Sequence, residues 1–183
     1  MKGIIFNLLE GFITDNYGED EYEGVLSRCQ LKMGDPGVIV GPGTYPDEDF
    51  MQIVAETARL LDNSVPDVFR AFGRYAIPKL VERYPRFFSP YSHPKDFLKT
   101  VDFIHHIEIV KLYKDAETPK FSAEDPFADT LVMKYSSARK LCYLVEGLID
   151  GLADHYGVPI EHSQTRCMIH GDEQCVFNLR FEG

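Results

Sequence analysis

The sequence predicts an α+β protein with a helical N-terminal lobe and a smaller C-terminal lobe, which carries an antiparallel sheet and packed helices. Through most of the first 115 residues, apolar side chains recur at three- and four-residue spacing, as along one face of an α-helix. After Pro119 come short runs in which apolar and polar residues alternate, as along a half-buried strand. With 183 residues and neither an internal repeat nor a long linker, the chain is predicted to be a single domain.

Five helices are predicted before Pro119. Residues 1–17 carry an apolar stripe that ends at Gly18, and a short helix is expected over about 20–28. The segment DEDFMQIVAETARLL opens with acidic residues, which the positive end of a helix favours. VPDVFRAFGRYAIPKLVERY contains Pro78, which predicts a kink or a break because proline lacks the N–H that a helix needs. HPKDFLKTVDFIHHIEIVKLY predicts one long helix, roughly 95–113.

A strand, a helix and a hairpin are predicted after Pro119. ADTLVMKY predicts the strand, and SSARKLCYLVEGLIDGLADHYG predicts a helix with a serine N-cap and Gly157 at its end. VPIEHSQTRCM and QCVFNLRFE are the expected arms of the hairpin, joined through HGDE. Phe177, Leu179 and Phe181 alternate with polar residues, as in a strand with one buried face.

The composition excludes several classes of protein. Nineteen Lys and Arg against 29 Asp and Glu give a net charge of −10, which disfavours a nucleic-acid partner. There is no signal-type cleavage site and no run long enough for membrane insertion. Four cysteines do not make a secreted disulfide framework. We therefore expect a cytoplasmic protein that binds no nucleic acid.

The segment KYSSARKLC places Tyr135, Ser137 and Arg139 at alternate positions where a strand is predicted to meet a helix. Two hydroxyls and a guanidinium at a helix N-terminus suit an anion, and arginine binds a carboxylate through two parallel hydrogen bonds. A capping serine, a core tyrosine and a solvated arginine would give the same sequence. The segment alone leaves both interpretations open.

Two adjacent histidines, His105 and His106, lie inside the apolar helix predicted for FIHHIEIVKLY. A buried imidazole needs a polar partner, so each residue is either a hydrogen-bonded core histidine or a ligand to haem iron. Helical periodicity does not choose between the two, because both lie on apolar stripes.

Together these segments resemble the H-NOX domains, the haem nitric oxide/oxygen-binding sensors related to the haem domain of soluble guanylate cyclase. The resemblance covers essentially the whole chain and is closest to the bacterial stand-alone type. It rests on MKGIIFNLLE, NYGEDEYEGV, FGRY, KLYKDAETPKF and YSSARKLC…EGLIDGL. It implies haem b held between a helical distal lobe, about 1–65, and a proximal lobe, about 66–183. Tyr135, Ser137 and Arg139 would then bind the haem propionates.

The resemblance also implies an axial histidine, but two counts of the family spacing differ by one residue. Counting back from IEIVKLY and Pro119, the spacing falls on His106, with Glu108 two residues later. Counting forward from DFLKTVDFI, it falls on His105. Because the C-terminal match is longer, His106 is the predicted iron ligand and His105 the alternative. Pro119 matches the family proline that presses on the haem.

Gas selectivity is predicted from the distal side. H-NOX proteins that hold oxygen have a distal tyrosine five residues beyond the clamp arginine, and Leu144 occupies that position here. Leu9 and Ala76 match the supporting positions. An apolar pocket favours nitric oxide and carbon monoxide over oxygen, because bound oxygen gains more from a hydrogen-bond donor. Tyr143 is the alternative donor if the helix is rotated.

No nucleophile–base pair at a recognisable spacing and no phosphate loop occurs in the sequence, so we expect no enzyme activity. The resemblance implies a switch in which nitric oxide weakens the iron–histidine bond and the two lobes shift. The output would pass to a separate effector protein, a histidine kinase or a cyclic-di-GMP enzyme (diguanylate cyclase or phosphodiesterase).

Three cysteines, Cys142, Cys167 and Cys175, predict a second metal site. Three thiolates and an imidazole make a tetrahedral zinc site, and the resemblance implies one because several bacterial H-NOX proteins carry it. Gln164 stands where the family has the histidine, so the candidates for the fourth ligand are His162 and His170. The alternative is a set of buried or redox-active thiols without zinc. A zinc/cysteine redox sensor that regulates the same kind of partner is the alternative function.

Overall fold

The computed structural model of the protein describes residues 1–34, 36–112 and 117–182. The N-terminal part is helical: α1 Gly3–Tyr17, α2 Glu19–Leu26, α3 Asp47–Leu60, α4 Val65–Arg83, α5 Pro85–Phe88, α6 Pro94–Leu98, α7 Val101–Phe103 and α8 Val110–Leu112. A π-helix, Ile104–Ile109, lies between α7 and α8. The C-terminal part contains β1 Lys120–Glu124, β2 Thr130–Ser136, α9 Cys142–Tyr156, β3 Ile160–Arg166 and β4 Cys175–Phe181. The predicted α+β class is confirmed.

The four strands form one antiparallel sheet in the order β1-β2-β4-β3. The predicted hairpin is confirmed, with a 3₁₀ turn, Met168–His170, between β3 and β4. Phe177, Leu179 and Phe181 of β4 are buried, as their alternation predicts. The edge strand β1 has a mostly exposed KFSAE sequence, and this weak hydrophobic pattern explains why the sequence did not predict it.

Helix α9 begins at Cys142 and not at the serines of YSSAR, so the predicted start is wrong. Ser136 is the last residue of β2, and the chain then turns through Lys140, whose φ of 49° lies in the left-handed region. Ser137 therefore does not cap α9, and Arg139 lies in the turn before the helix. All three residues of the predicted anion clamp precede α9.

Two other helix predictions need correction. Helix α4 runs without a break from Val65 to Arg83 with Pro78 inside it, so the break that proline could have caused does not occur. The single helix expected over 95–113 consists of α6, α7, the π-helix and α8. The last residue of that prediction, 113, lies outside the described residues.

Two hydrophobic clusters fill the interior, one in each lobe. The N-terminal cluster is formed by α1 to α4, and the C-terminal cluster by the sheet and α9. Helix α4 contributes to both, with Phe72 and Ala76 in the first and Ile77 in the second. The predicted lobe boundary near residue 65 thus falls at the start of the helix that joins the clusters.

Glycines allow α4 and α9 to cross in backbone contact. A Cβ on Gly147 would lie 2.0 Å from the carbonyl oxygen of Arg70, and one on Gly73 would lie 2.5 Å from the carbonyl oxygen of Leu144. Both distances are far below van der Waals contact. The nearest atoms belong to the backbone, so they cannot rotate away as a side chain could. Small residues at these positions therefore set the distance between the two helices.

We expect Gly147→Ala to destabilise the protein by about 1–3 kcal/mol, because the added methyl group must push α4 away from α9. The matched control is Gly24→Ala in α2, where a Cβ would meet no atom within 4 Å. That change should be neutral or stabilising, by up to about 1 kcal/mol. Urea unfolding of both variants measures the difference, and equal effects would show that the crossing is not tight.

Candidate functional site

A cavity of about 620 Å³ lies between the two hydrophobic clusters. This volume is within the usual range for small-molecule and cofactor pockets. Every residue that α1, α4 and α9 contribute to its wall is apolar, among them Ile5, Leu8, Phe72, Ala76, Leu144 and Leu148. One side of the cavity therefore suits a flat apolar ligand.

Tyr135, Ser137 and Arg139 all line the cavity. The Tyr135 hydroxyl accepts a hydrogen bond from the backbone N–H of Leu141 at 3.1 Å, and burial raises the pKa of this phenol. The Ser137 hydroxyl accepts a hydrogen bond from the backbone N–H of Arg139 at 3.2 Å. The turn between β2 and α9 thus brings the three predicted clamp residues together.

Two carboxylates surround the Arg139 guanidinium. Its Nε lies 2.8 Å from Asp47 Oδ2, and its Nη2 lies 3.3 Å from Glu117 Oε2. Nη1 donates a hydrogen bond to the backbone carbonyl of Glu117 at 2.8 Å. The Nε contact is an ion pair whose N–H does not point at the oxygen, so this buried Nε has no hydrogen-bond partner among the described residues. The guanidinium thus keeps an unused donor for an anion.

His105 lines the cavity, and burial lowers its pKa, so the imidazole is neutral at pH 7. Its Nδ1 lies 2.9 Å from the backbone carbonyl of Val101. Because a carbonyl can only accept, Nδ1 carries the proton and the lone pair is on Nε2. A histidine that donates one ring N–H to a backbone carbonyl is oriented as metal-binding histidines usually are.

His106 lies in different surroundings. Its side chain is 38% exposed, with Nε2 3.4 Å from Asp102 Oδ1 and Nδ1 3.3 Å from Thr118 Oγ1. It is not among the described residues that line the cavity. The structure thus presents His105 to the cavity, although the longer sequence match favours His106. The side chain of Glu108 is outside the described part of the chain.

Three of the four residues predicted to form the haem pocket line the cavity. Leu144, Ala76 and Pro119 line the cavity. Leu9 does not, because adjacent residues of a helix point about 100° apart, and α1 turns Leu8 towards the cavity and Leu9 into the N-terminal cluster. Tyr143 packs against the same cluster and is not a lining residue.

Comparison with known proteins agrees with this geometry. The haem-NO-binding family, also called H-NOX, matches residues 2–164. The chain belongs to this family. The fold is accordingly that of a haem-based gas sensor. A search of curated proteins gives no significant match.

Several solved H-NOX structures share the fold along the whole chain. An H-NOX protein from S. oneidensis in the Fe(II)NO ligation state matches with a TM-score of 0.92, 27% identity and full coverage of both chains. The SO2144 H-NOX domain from Shewanella oneidensis in the Fe(II)CO state gives 0.90 and 28%, covering 100% of this chain and 99% of that one. An oxygen-binding H-NOX domain related to soluble guanylate cyclases gives 0.85 and 24%, with 100% and 96% covered, and shows the fold alone.

Two acidic residues of the site, Asp47 and Glu117, were missed by sequence reasoning. The helix dipole alone explains why α3 begins with acidic residues, so Asp47 did not indicate a contact with another part of the chain. No spacing signal connects positions 47 and 117 with position 139, because Asp47 reaches Arg139 from the other lobe and Glu117 precedes it by 22 residues. Within the described part of the chain, no helix has the length and apolar character needed to cross a membrane.

The three H-NOX cysteines form a compact cluster next to the sheet. Cys142 Sγ lies 3.1 Å from Cys175 Sγ and 3.6 Å from Cys167 Sγ, and all three are buried free thiols. Burial raises the pKa of both Cys142 and Cys175. In the tetrahedral arrangement that zinc prefers, sulfur atoms lie about 3.8 Å apart, so the cluster is close to the size of a metal site.

Neither candidate for a fourth ligand joins the cysteines among the described residues. His162 Nε2 donates to Asp150 Oδ1 at 2.8 Å, and His170 is exposed at the end of the 3₁₀ turn. The side-chain nitrogen of Gln164 is buried and has no hydrogen-bond partner among the described residues. The structure therefore brings three of the predicted zinc ligands together and holds His162 in a hydrogen bond to Asp150.

Asp150 holds both His162 and Arg70, and it should make stability depend on pH. Burial alone would raise its pKa, but hydrogen bonds from His162 and Arg70 outweigh that effect and lower the pKa from 3.8 to about 2. A lowered pKa gives stability that is present above about pH 4 and is lost as the pH falls through 2. We expect Asp150→Asn to cost about 1 kcal/mol at pH 7, a value reduced for solvent screening.

The loss should shrink as the pH is lowered towards 3, and urea unfolding at pH 7, 5 and 3 measures it. Asp154→Asn is the matched control, because Asp154 pairs with Arg74 on the same helices but is 53% exposed against 19% for Asp150. A cost for Asp150→Asn that stays constant with pH would contradict the assignment.

Proposed function

We propose that this protein is a haem-b sensor that binds nitric oxide at ferrous iron and signals to a separate effector protein. The observation that carries the proposal is the cavity of about 620 Å³, with the neutral imidazole of His105 on its wall and the Arg139 guanidinium at its edge. Haem is an apolar macrocycle that carries iron and has carboxylates at one edge. It therefore needs an apolar cavity, a ligand to the iron and a cationic group at the edge of the cavity. Haem supplies the iron that binds the gas.

The residues at the cavity edge suit the haem propionates. Arg139 has an unused buried donor, and Ser137 and Tyr135 add two hydroxyls on the same turn. Bonds between arginine and a carboxylate are among the stronger hydrogen bonds in proteins because both partners are charged. We infer that Arg139 supplies most of the propionate affinity and that the hydroxyls orient the groups.

We propose His105 as the axial ligand, in preference to the His106 that the longer sequence match favours. The π-helix at Ile104–Ile109 accounts for the two counts that differ by one, because a π-helix accommodates one residue more than an α-helix of the same length. Counted from the N-terminal side of the π-helix, the family spacing puts the iron ligand at His105. Counted from the C-terminal side, it puts the ligand at His106.

The wall formed by α1, α4 and α9 supports selectivity for nitric oxide and carbon monoxide over oxygen. These helices offer no hydrogen-bond donor side chain to the cavity, and Leu144 occupies the position of the distal tyrosine. The S. oneidensis relatives were solved with nitric oxide and with carbon monoxide. We expect weak oxygen binding for this reason.

A signal could leave the site through the histidine segment. Residues 101–112 form a three-residue α-turn, a π-helix and another three-residue turn, so this segment can change its register more easily than a regular helix. Release of His105 would let the segment move, and a rotation of the lobes about the α4–α9 crossing would change the outer surface. The proposed effector that recognises this surface change is a histidine kinase, a diguanylate cyclase or a phosphodiesterase.

We propose a cytoplasmic location and a role without enzyme activity. The four free thiols suit a cytoplasmic protein.

The cysteine cluster supports a second candidate function, a zinc-linked redox sensor that acts on the same kind of partner. Three buried sulfur atoms within 4.8 Å of one another can hold zinc or respond to oxidants. Zinc would have to displace the protons that burial retains on Cys142 and Cys175, so its affinity should fall at low pH.

The dithionite-reduced protein should show a haem absorption spectrum that shifts with nitric oxide and with carbon monoxide, and no stable oxygen complex should form in air. The apolar wall is the reason, because it leaves bound oxygen without a donor. Leu144→Tyr is the companion variant, and it should slow the loss of oxygen. A stable oxygen complex of the wild-type protein would contradict the selectivity, and absence of haem would contradict the function.

His105→Gly should abolish haem retention or make it depend on added imidazole, because the variant lacks the proposed iron ligand. His106→Gly is the matched control and should keep the wild-type spectrum. Electronic absorption with and without imidazole measures both. Loss of the spectrum in the His106 variant alone would show that the C-terminal count gives the ligand.

The cluster predicts about one zinc per chain, measured by elemental analysis after purification in zinc-containing medium. Cys142→Ser should reduce the zinc content to background because Cys142 Sγ contacts both of the other sulfur atoms and the variant removes one of three ligands. Cys29→Ser is the control, since Cys29 lies apart from the cluster. A wild-type protein without zinc would contradict the metal site and favour the alternative, a set of buried or redox-active thiols.

A further inference from the structure

We propose that Cys142, Cys167 and Cys175 form a binding site for a trivalent, thiol-seeking oxyacid of the arsenous acid class, which binds three sulfur atoms and needs no fourth ligand. The inference goes beyond the proposed haem function and stands whether or not the cavity binds haem. It also differs from the zinc-linked candidate function, because it assigns the cluster to a centre of another charge and another coordination number.

Three different elements hold the sulfur atoms of the cluster. Cys142 is the first residue of α9, Cys167 directly follows β3, and Cys175 is the first residue of β4. The backbone N–H of Cys167 donates to Asp172 Oδ2 at 2.8 Å, and the backbone N–H of Met168 donates to Cys175 Sγ at 3.3 Å. Hydrogen bonds of the turn between β3 and β4 therefore fix two of the three cysteines.

The described residues supply three ligands to this site and no fourth. Structural zinc takes four protein ligands, drawn from thiolates, imidazoles and carboxylates. His162 donates instead to Asp150 Oδ1 at 2.8 Å, and His170 is exposed. Gln164 occupies the position of the family histidine, and the carboxamide nitrogen of its side chain does not bind zinc. Zinc therefore fits the cluster only with a further ligand from solvent.

Burial favours a neutral complex in this place. Cys142 and Cys175 have no exposed surface, Cys167 is 6% exposed, and all three belong to the C-terminal hydrophobic cluster. Three thiolates around Zn²⁺ carry a net negative charge, to which the carboxylate of Asp172 lies close. Three thiolates around a trivalent centre carry none. Because a net charge in an apolar interior costs free energy, the trivalent centre suits the cluster better.

Arsenous acid forms this neutral complex by ligand exchange. Three S–H and three As–O bonds break, three As–S and three O–H bonds form, and three molecules of water leave. Arsenic stays trivalent throughout, so the exchange needs no oxidant and no reductant. The lone pair on arsenic makes the centre pyramidal, which draws the sulfur atoms closer together than a zinc tetrahedron does. The Sγ separations of 3.1 and 3.6 Å, both below the value of about 3.8 Å around zinc, suit a pyramidal centre.

The test measures the arsenic and the zinc that the protein retains. The protein, reduced with a phosphine, is mixed with sodium arsenite or with zinc, desalted and submitted to elemental analysis. We expect one arsenic per chain, with three As–S bonds and no As–O bond in the X-ray absorption spectrum at the arsenic edge. Serine at position 142, 167 or 175 should reduce the retained arsenic to background. Cys29→Ser is the matched control and should leave it unchanged, because Cys29 lies apart from the cluster.

Gln164→His separates the two occupants without removing a buried thiol. Gln164 pairs with Phe177 of β4, on the face of the sheet that carries Cys175 two residues earlier. The imidazole should give zinc its fourth ligand and raise zinc affinity at least about tenfold, while arsenic affinity should stay nearly unchanged. Competition with a chromophoric zinc chelator and with arsenite measures both. This variant keeps the proposal testable if the serine variants fail to fold.

Three results would overturn the proposal. One is a wild-type protein that retains no arsenic. Another is a spectrum with two As–S bonds and one As–O bond, which would show an ordinary pair of thiols. The third is zinc affinity in the wild type equal to that of Gln164→His, which would show that another group already completes the zinc site. Failure to take up haem would contradict only the proposed function, because none of the three cysteines is among the described residues that line the cavity.

Discussion

The glycine-lined crossing of α4 and α9 is the constraint on which the rest of the site depends. Because Gly73 and Gly147 let two backbones touch, these helices join the N-terminal and C-terminal clusters and form one wall of the cavity between them. The same crossing directs Ala76 and Leu144 towards the ligand. A wider crossing would separate the lobes and open the apolar wall to water.

The cavity combines an apolar body with a charged edge, and this division gives each group of residues its role. The side chains that α1, α4 and α9 contribute to the cavity are all apolar, so in the proposed function they would favour burial of the macrocycle and offer no donor to a bound gas. In the proposed function Arg139 orients a ligand that carries carboxylates, and its guanidinium already contacts Asp47 and Glu117. His105 faces the cavity from a π-helix, where a small change of register moves an imidazole. In the proposed function, affinity, selectivity and signalling would therefore depend on different parts of one site.

Local patterns predicted much of this arrangement. Alternation in β4 located a buried strand, and Tyr135, Ser137 and Arg139 were singled out as an anion site because three chemically suitable residues lie within five positions. The three residues do line the cavity, but their propionate role came from the family resemblance and stays a prediction. The start of α9 was not predictable, because the clamp turn is stabilised by the hydroxyl of Tyr135, which accepts a hydrogen bond from a residue six positions further along the chain. The family resemblance implied Leu9, but α1 directs Leu8 to the cavity and Leu9 into the N-terminal cluster, because adjacent residues of a helix point about 100° apart.

Tertiary contacts explain the remaining differences. The edge strand β1 is paired by β2 and has little hydrophobic pattern of its own. Asp47 meets Arg139 across the lobes, so no sequence window contains both residues. Helical periodicity does not separate His105 from His106, and the segment that carries them is a π-helix and not the regular α-helix that the sequence predicts.

The central claim is that the cavity is a specific haem site, and a titration of the haem-free protein with haemin, followed by absorption, tests it most directly. The account predicts a sharp end point at one haem per chain and a clear weakening of uptake in Arg139→Ala. Gradual uptake without an end point, at the same level in wild type and variant, would contradict it.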